Sequence, residues 1–216
     1  MNIEIARRQM IEQQVRAWEV LDNRVLGALA QVRREIFVPQ GYRELAFADT
    51  QIPLGHGQFM LAPKVEGRFL QALELTPADQ VLEIGAGSGF FAACLSRLAR
   101  SVRSLEIFPE LTAFARENLR ASGVGGVQVE TCDAMTLDES RRYGAIAVTG
   151  SLPVYDARFE RALEIGGRLV VVVGQPPVME ALLVRRASET QWVRESLFET
   201  VIEPLVNAPQ APRFLF

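Results

Sequence analysis

Apolar side chains recur at spacings of three and four through residues 5–18 (Ile5, Met10, Ile11, Val15, Trp18) and again through 22–32 (Val25, Leu26, Leu29, Val32). Residues that far apart share one face of a 3.6-residue turn, so the pattern predicts two amphipathic helices, the second capped by Asp22. From Phe37 to Pro63 the periodicity fails and Gly, Pro, Asp and Gln recur, which predicts a long irregular segment of the kind kept as a lid or binding loop. Pro63 then opens a helix carrying Val65, Phe69, Leu70 and Leu73, ended at Thr76-Pro77.

Beyond Pro77 the period switches back and forth. Strands are expected over 80–84, 102–106, 127–131, 145–149 and 168–173, with helices near 90–100, 109–121 and 156–164. Strand and helix in alternation imply a parallel sheet covered on both faces, because a parallel pair needs a crossover. Val170, Val171, Val172 and Val173 are apolar at consecutive positions, as in a strand buried on both faces. The segments 180–186 and 192–204 alternate, which predicts an antiparallel hairpin at the sheet edge. The expectation is one α/β domain over 1–216: helices and lid in 1–75, a doubly wound core in 76–206, and a proline-broken tail in 207–216 read as a frayed end.

Composition narrows the partners. With 216 residues, 49% of them hydrophobic, the chain can bury one substantial core. A net charge of -3 gives no basic field, which disfavours nucleic acid as an obligatory partner. No apolar run reaches the ~18 residues needed to span a bilayer, and Met1-Asn2-Ile3-Glu4-Ile5 lacks the plan of a signal peptide, so a cytoplasmic protein is expected. Cys94 and Cys132 are the only cysteines and His56 the only histidine; the reading is two reduced core thiols, no disulfide framework and no metal site.

The most specific local signal is Glu83-Ile84-Gly85-Ala86-Gly87-Ser88-Gly89-Phe90, where an apolar strand breaks into three alternate glycines and resumes as an apolar helix. Without Cβ atoms, Gly85, Gly87 and Gly89 let the chain turn sharply and a ligand lie against the main chain. Phe90 stands where a dinucleotide G-x-G-x-x-G needs its third glycine, so the pattern is E-x-G-x-G-x-G. Glu83 would repel a pyrophosphate and suits a cofactor with cationic groups, which points to S-adenosylmethionine.

Ligands of doubly wound sheets cross the carboxyl ends of the strands. Glu106, about 20 residues past the glycine turn and at a strand's end, can accept from both ribose hydroxyls. Asp133, after the third strand, can accept from an adenine amino group, with a helix-capping role as the other reading. A lone loop histidine such as His56 reads better as a solvated side chain than as a base. No residue constellation forms a nucleophile with an orienting base. Methyl transfer to a carboxylate needs none, since that acceptor is already ionised near neutral pH and has only to be aligned.

Several separated segments then carry a resemblance over nearly the whole chain: Val32-Arg33-Arg34-Glu35-Ile36-Phe37-Val38-Pro39, Ala48-Asp49-Thr50-Gln51-Ile52-Pro53-Leu54-Gly55-His56-Gly57-Gln58, the glycine turn, Ala147-Val148-Thr149, Gly166-Gly167-Arg168-Leu169-Val170 and Glu203-Pro204-Leu205-Val206. The sequence resembles the protein-L-isoaspartate (D-aspartate) O-methyltransferase family. The glycine turn alone marks a wide superfamily; the stretch from Phe37 to Gln58 is the specific part.

The resemblance implies a seven-stranded, mostly parallel Rossmann-like sheet, S-adenosylmethionine as cofactor, and methyl ester formation on isoaspartyl carboxylates in protein repair. It implies a cofactor set of Gln58, Glu83, Gly85, Gly87, Gly89, Glu106, Asp133, Ala134 and Thr149, and a substrate side at Phe59, Leu61 and Val173. The family's signature continues as T-[IV]-S-x-P, with hydroxyls lining the acceptor site. Here it reads Phe59-Met60-Leu61-Ala62-Pro63, so Leu61 matches the active-site serine and Phe59 the threonine. Gly144 likewise stands where many members carry the aspartate of F-D. Apolar side chains leave an incoming carboxylate without donors, at a cost of about 1–3 kcal/mol. Two further readings follow: methylation of a less polar acceptor, or a catalytically silent cofactor-binding protein acting through partners.

Overall fold

The computed structural model describes residues 2–138 and 140–210. The tail residues 211–216, including Phe214–Phe216 and most of the expected frayed end, lie outside the described residues. The first predicted helix forms over a longer span and with changing pitch. It is α-helical over Ile3–Met10 (α1), where the Asn2 side chain accepts from the main chain of Glu4 and Ile5, then π-helical over Ile11–Val15 and 3₁₀ over Arg16–Trp18. Asp22 caps α2 (Asn23–Gln31) as expected, accepting from Arg24 N at 2.8 Å. A short α3 (Arg34–Phe37) follows.

The irregular segment holds structure that periodicity did not show. β1 (Ile52–Gly55) and β2 (Gln58–Met60) pair antiparallel as a two-stranded sheet of their own. Their turn runs through Gly55, His56 and Gly57 at φ 97°, 52° and 70°, left-handed conformations that the two glycines allow. α4 (Pro63–Ala72) starts on its proline.

The remaining strands form one seven-stranded sheet. They are β3 (Gln80–Ile84), β4 (Ser101–Glu106), β5 (Val127–Thr131), β6 (Tyr143–Leu152), β7 (Leu163–Gln175), β8 (Val178–Arg186) and β9 (Trp192–Glu199), in the order β5-β4-β3-β6-β7-β8-β9. β5, β4, β3, β6 and β7 are parallel, and β8 and β9 complete the expected antiparallel edge. α5 (Phe90–Ser96) and α6 (Pro109–Ser122) pack on one face with α2 and α4. The other face carries the expected 156–164 helix only as α7 (Arg158–Arg161), because Leu163 is already paired with Tyr143 and Gly166 turns the chain at φ 82°. Val170 and Val172 face the first core and Val171 the second, as a strand buried on both sides requires.

Packing accounts for Gly144 in place of an aspartate and separates the two cysteines. A Cβ on Gly144 would stand 2.4 Å from Asp79 Oδ1, so the missing side chain leaves room for the Asp79 carboxylate, which accepts from Arg168 and from Thr76 N. Cys94 is a buried core thiol, but Cys132, just past β5, is half-buried and lines the cleft described below. Among the described residues, no helix is long and apolar enough to cross a membrane.

Candidate functional site

The chain runs β3, β4, β5 outward and then returns to place β6 on the other side of β3, so a crevice opens at the carboxyl ends of β3 and β6. The glycine turn lies there. Gly85 has φ 95°, and a Cβ on it would meet Thr149 Oγ1 at 2.5 Å, which makes glycine obligatory on two counts. Thr149, within β6 and one residue past its last pairing with β3, places its hydroxyl 2.8 Å from the Ile84 carbonyl and 2.7 Å from that of Gly85, tying β6 to the turn.

Glu106, the last residue of β4, is buried under the turn. One carboxylate oxygen accepts from Gly87 N at 2.9 Å and the other from Phe108 N at 3.1 Å. Each oxygen keeps a lone pair for a ligand, because a carboxylate offers about four acceptor sites. Asp133, after β5, accepts from Met135 N and from Asn207 Nδ2, both at 2.8 Å. It therefore both caps the short turn Ala134–Thr136 and faces the cleft.

The β1–β2 hairpin covers this crevice. His56 at its tip stacks on Phe108, with ring centroids 4.3 Å apart and planes 16° from parallel, and its Nε2 lies 3.7 Å from Glu110 Oε2. The lone histidine is thus a clasp between the hairpin and the loop after β4, without a hydrogen-bonded role as a base. Leu54, Gln58 and Phe59 descend from the hairpin to form the near wall of the cleft, opposite Phe108, Leu111 and Ala134. The space among these walls, open solvent included, is about 580 Å³.

A smaller cavity continues beneath the hairpin, sharing Leu54, Phe59, Gly85, Gly87 and Thr149 with the main cleft and adding Met60, Leu61 and Glu66. Phe59 is 38% exposed and does not pack the lid onto the core, whereas Leu61 is buried and does. Under Leu61 lies a buried ion pair. Arg34 of α3 donates to a carboxylate oxygen of Glu66 in α4, to the Leu61 carbonyl at 2.7 Å and to the Ala46 carbonyl at 2.9 Å.

Of the residues expected from sequence, Gln58, Phe59, Gly85, Gly87, Glu106, Asp133, Ala134 and Thr149 come together around the main cleft, and Leu61 lines the cavity beside it. Gly89 caps α5 against Ala115, behind the turn. Two residues stand apart. Val173 pairs with Leu152 and Glu180 within the sheet and lines neither space. Glu83 is fully buried on the helix-covered face, its Oε2 against Ser104 Oγ and its Oε1 without a partner. Burial, with the charges of Glu106 and Glu66, pushes its pKa up to about 8 against the pull of Ser104. The sequence reading passed over Leu54, Phe108 and Glu66. Only Glu66 had a local signature, and that one is ambiguous: an acid in the first turn of a helix is favoured there for the helix dipole alone.

Comparison with known proteins agrees with this geometry. The family model for protein-L-isoaspartate(D-aspartate) O-methyltransferase matches residues 5–210. "Protein-L-isoaspartate O-methyltransferase 2" of Pelobacter propionicus is 40% identical over 96% of this chain and 93% of its own length. "Protein-L-isoaspartate O-methyltransferase" of Aeropyrum pernix is 36% identical over 94% of this chain and 80% of its own. A crystal structure from Plasmodium falciparum, described as a putative protein-L-isoaspartate O-methyltransferase in complex with S-adenosyl-L-homocysteine, superposes with a TM-score of 0.82 over 95% of this chain and 98% of that one; at 18% identity it shows a shared fold.

Proposed function

From the premise that the chain belongs to the protein-L-isoaspartate (D-aspartate) O-methyltransferase family and is an S-adenosylmethionine-dependent methyltransferase, we propose that it esterifies the free carboxylate of isoaspartyl residues in damaged cytoplasmic proteins. The observation that carries this reading is the cleft at the switch point, which unites the glycine turn and Glu106 with the hairpin Ile52–Met60.

The donor groups suit this cofactor. Glu106 would accept from the ribose hydroxyls through the lone pairs its two main-chain contacts leave free. Asp133 and Ala134 would take the polar edge of the adenine, while Phe108, Leu111 and Ala134 supply apolar surface for its faces. When bound, S-adenosylmethionine supplies an electrophilic methyl group on a sulfonium sulfur. Gln58, Phe59 and Leu61, on the hairpin side, would hold the acceptor against that centre, and the clasp from His56 to Phe108 would keep water out. No proton has to be moved from an ionised carboxylate, which is consistent with the missing acid–base pair.

Replacing Glu106 by alanine is expected to weaken S-adenosylhomocysteine binding by about 1–3 kcal/mol, since a charge-assisted acceptor is lost and two main-chain N–H groups are orphaned. Calorimetry returning an unchanged Kd would take Glu106 out of the site. The acceptor is tested by incubating native protein with methyl-labelled cofactor and a defined isoaspartyl peptide, then measuring volatile methanol after base treatment. Slow but cofactor-dependent release is expected. Transfer only to other acceptors in a cell extract would favour a less polar substrate, the reading that the apolar Phe59 and Leu61 recommend, and binding without transfer would favour a silent binding protein.

A further inference from the structure

The cavity beneath the hairpin is apolar on its lid side, at Leu54, Phe59, Met60 and Leu61, and is closed on the other by the main chain from Gly85 to Ser88. One charged side chain lines it. Glu66 is almost entirely buried, and its hydrogen bond from Arg34 falls on Oε2; no hydrogen bond from the described residues falls on Oε1. Arg34 also donates to the Leu61 and Ala46 carbonyls, and the hydrogen bond it gives Glu66 goes to Oε2 alone. An oxygen at the cavity wall without a protein donor is open to a donor from a ligand.

A cationic group with N–H donors brought against the ionised Glu66 would be held there. The cavity opens on the main cleft at Gly85, Gly87 and Thr149, so a ligand spanning both would extend its polar end to Glu66. We propose that Glu66 is the counter-charge for the α-ammonium group of the cofactor's methionyl end, the part that the sequence reading had matched with Glu83. The inference rests on the cofactor assignment above and adds to it a binding residue that the family pattern does not mark.

The charged and titratable groups that face Glu66 are Arg34 from α3, Glu83 from β3 and Cys94 from α5. Burial keeps Cys94 neutral, and it lifts the Glu66 carboxyl to about 7 against the pull of Arg34. Ammonium binding then requires Glu66 to be ionised, so affinity is full above that value and falls as pH drops through it.

The test compares S-adenosylhomocysteine with 5′-methylthioadenosine, which keeps the nucleoside and thioether but lacks the amino acid. Calorimetry on Glu66→Gln, which retains an acceptor for Arg34, is expected to show about ten- to hundredfold weaker S-adenosylhomocysteine binding, with methylthioadenosine changed less than about threefold. In the native protein, the ratio of the two affinities is expected to fall about tenfold between about pH 8 and about pH 6, and to stay level in Glu66→Gln. Unchanged S-adenosylhomocysteine affinity in the variant, or an equal loss for both ligands, overturns the proposal. Should the variant fail to fold, a native ratio that is level across that pH range overturns it too. Native protein that binds neither compound defeats the cofactor assignment itself, a different outcome from any of these.

Discussion

Replacing Arg34 by methionine is expected to destabilise the protein by about 3–5 kcal/mol, because it leaves a buried carboxylate without its counter-ion. Arg34 is fully buried, pairs with Glu66, and holds carbonyls from two points of the lid segment, Ala46 and Leu61; its guanidinium also lies 4.6 Å from the centre of the Phe90 ring. For a chain of this size each kcal/mol lowers Tm by about 2–4 °C, so a fall of roughly 6–20 °C should be seen. The sign of the pH dependence follows from Glu66, whose carboxyl is raised to about 7 in the folded state from an ordinary 4.5. A raised acid binds more protons folded than unfolded between those values, so its contribution to stability is present at the acid end and is lost as pH rises through about 7. The Arg34→Met penalty should therefore shrink in acid, where Glu66 is neutral. The pair Arg34→Met with Glu66→Met should recover most of the loss, since well-packed apolar side chains often replace a buried ion pair at little cost. Urea titrations showing that Arg34→Met costs under about 1 kcal/mol would mean that the pair does not hold the lid.

The second large effect is expected on rate. The double change Phe59→Thr with Leu61→Ser should speed methyl transfer to an isoaspartyl peptide, by up to about 10²–10³ if each hydroxyl acts as a preorganised donor, and by less because a carboxylate loses charge as it is methylated. The structure favours the trial at both positions. Phe59 is partly exposed and lines both spaces, and Leu61 lines the inner one alone. Affinity for 5′-methylthioadenosine, which lacks the methionyl end, should accordingly stay within about threefold, since the acceptors that Glu106 and Asp133 offer are unchanged. Leu61→Ser also removes a buried leucine, at a stability cost of about 2–4 kcal/mol, so the assay belongs well below the variant's Tm. A rate indistinguishable from native would show that the hydroxyls of the family pattern are dispensable on this scaffold.

The parts of the molecule that were legible in advance are those specified by near neighbours in the chain. β3 and β5 occupy the predicted residues because an apolar run in the first and an alternating one in the second each end in glycine or a turn. Glu106 was found because strand ends are ligand positions in a doubly wound sheet. Helix 156–164 was misjudged for a tertiary reason: the pairing of Leu163 with Tyr143 takes residues that local spacing would leave helical. The hairpin Ile52–Met60 was hidden because its strands are three or four residues long and include a proline, too short for alternation to register.

Which carboxylate faces the inner cavity could not be read from the chain. Glu83 and Glu66 are both buried acids near the glycine turn, but strand alternation sends Glu83 toward Ser104 while the docking of α4 beneath the hairpin brings Glu66 to the cavity wall. Val173 shows the same limit, since an apolar residue in a parallel strand has no local mark of whether it meets a ligand or another side chain. By itself the sequence determined the sheet, the glycine turn, the cofactor class and the loss of two hydroxyls, all of which depend on periodicity, backbone freedom and residue type over a few positions. Tertiary structure alone decided the clasp of His56 on Phe108, the burial of Arg34 with Glu66 and the exposure of Phe59, because each depends on packing between segments about 20 residues or more apart, where the chain carries no short-range record of what it will touch.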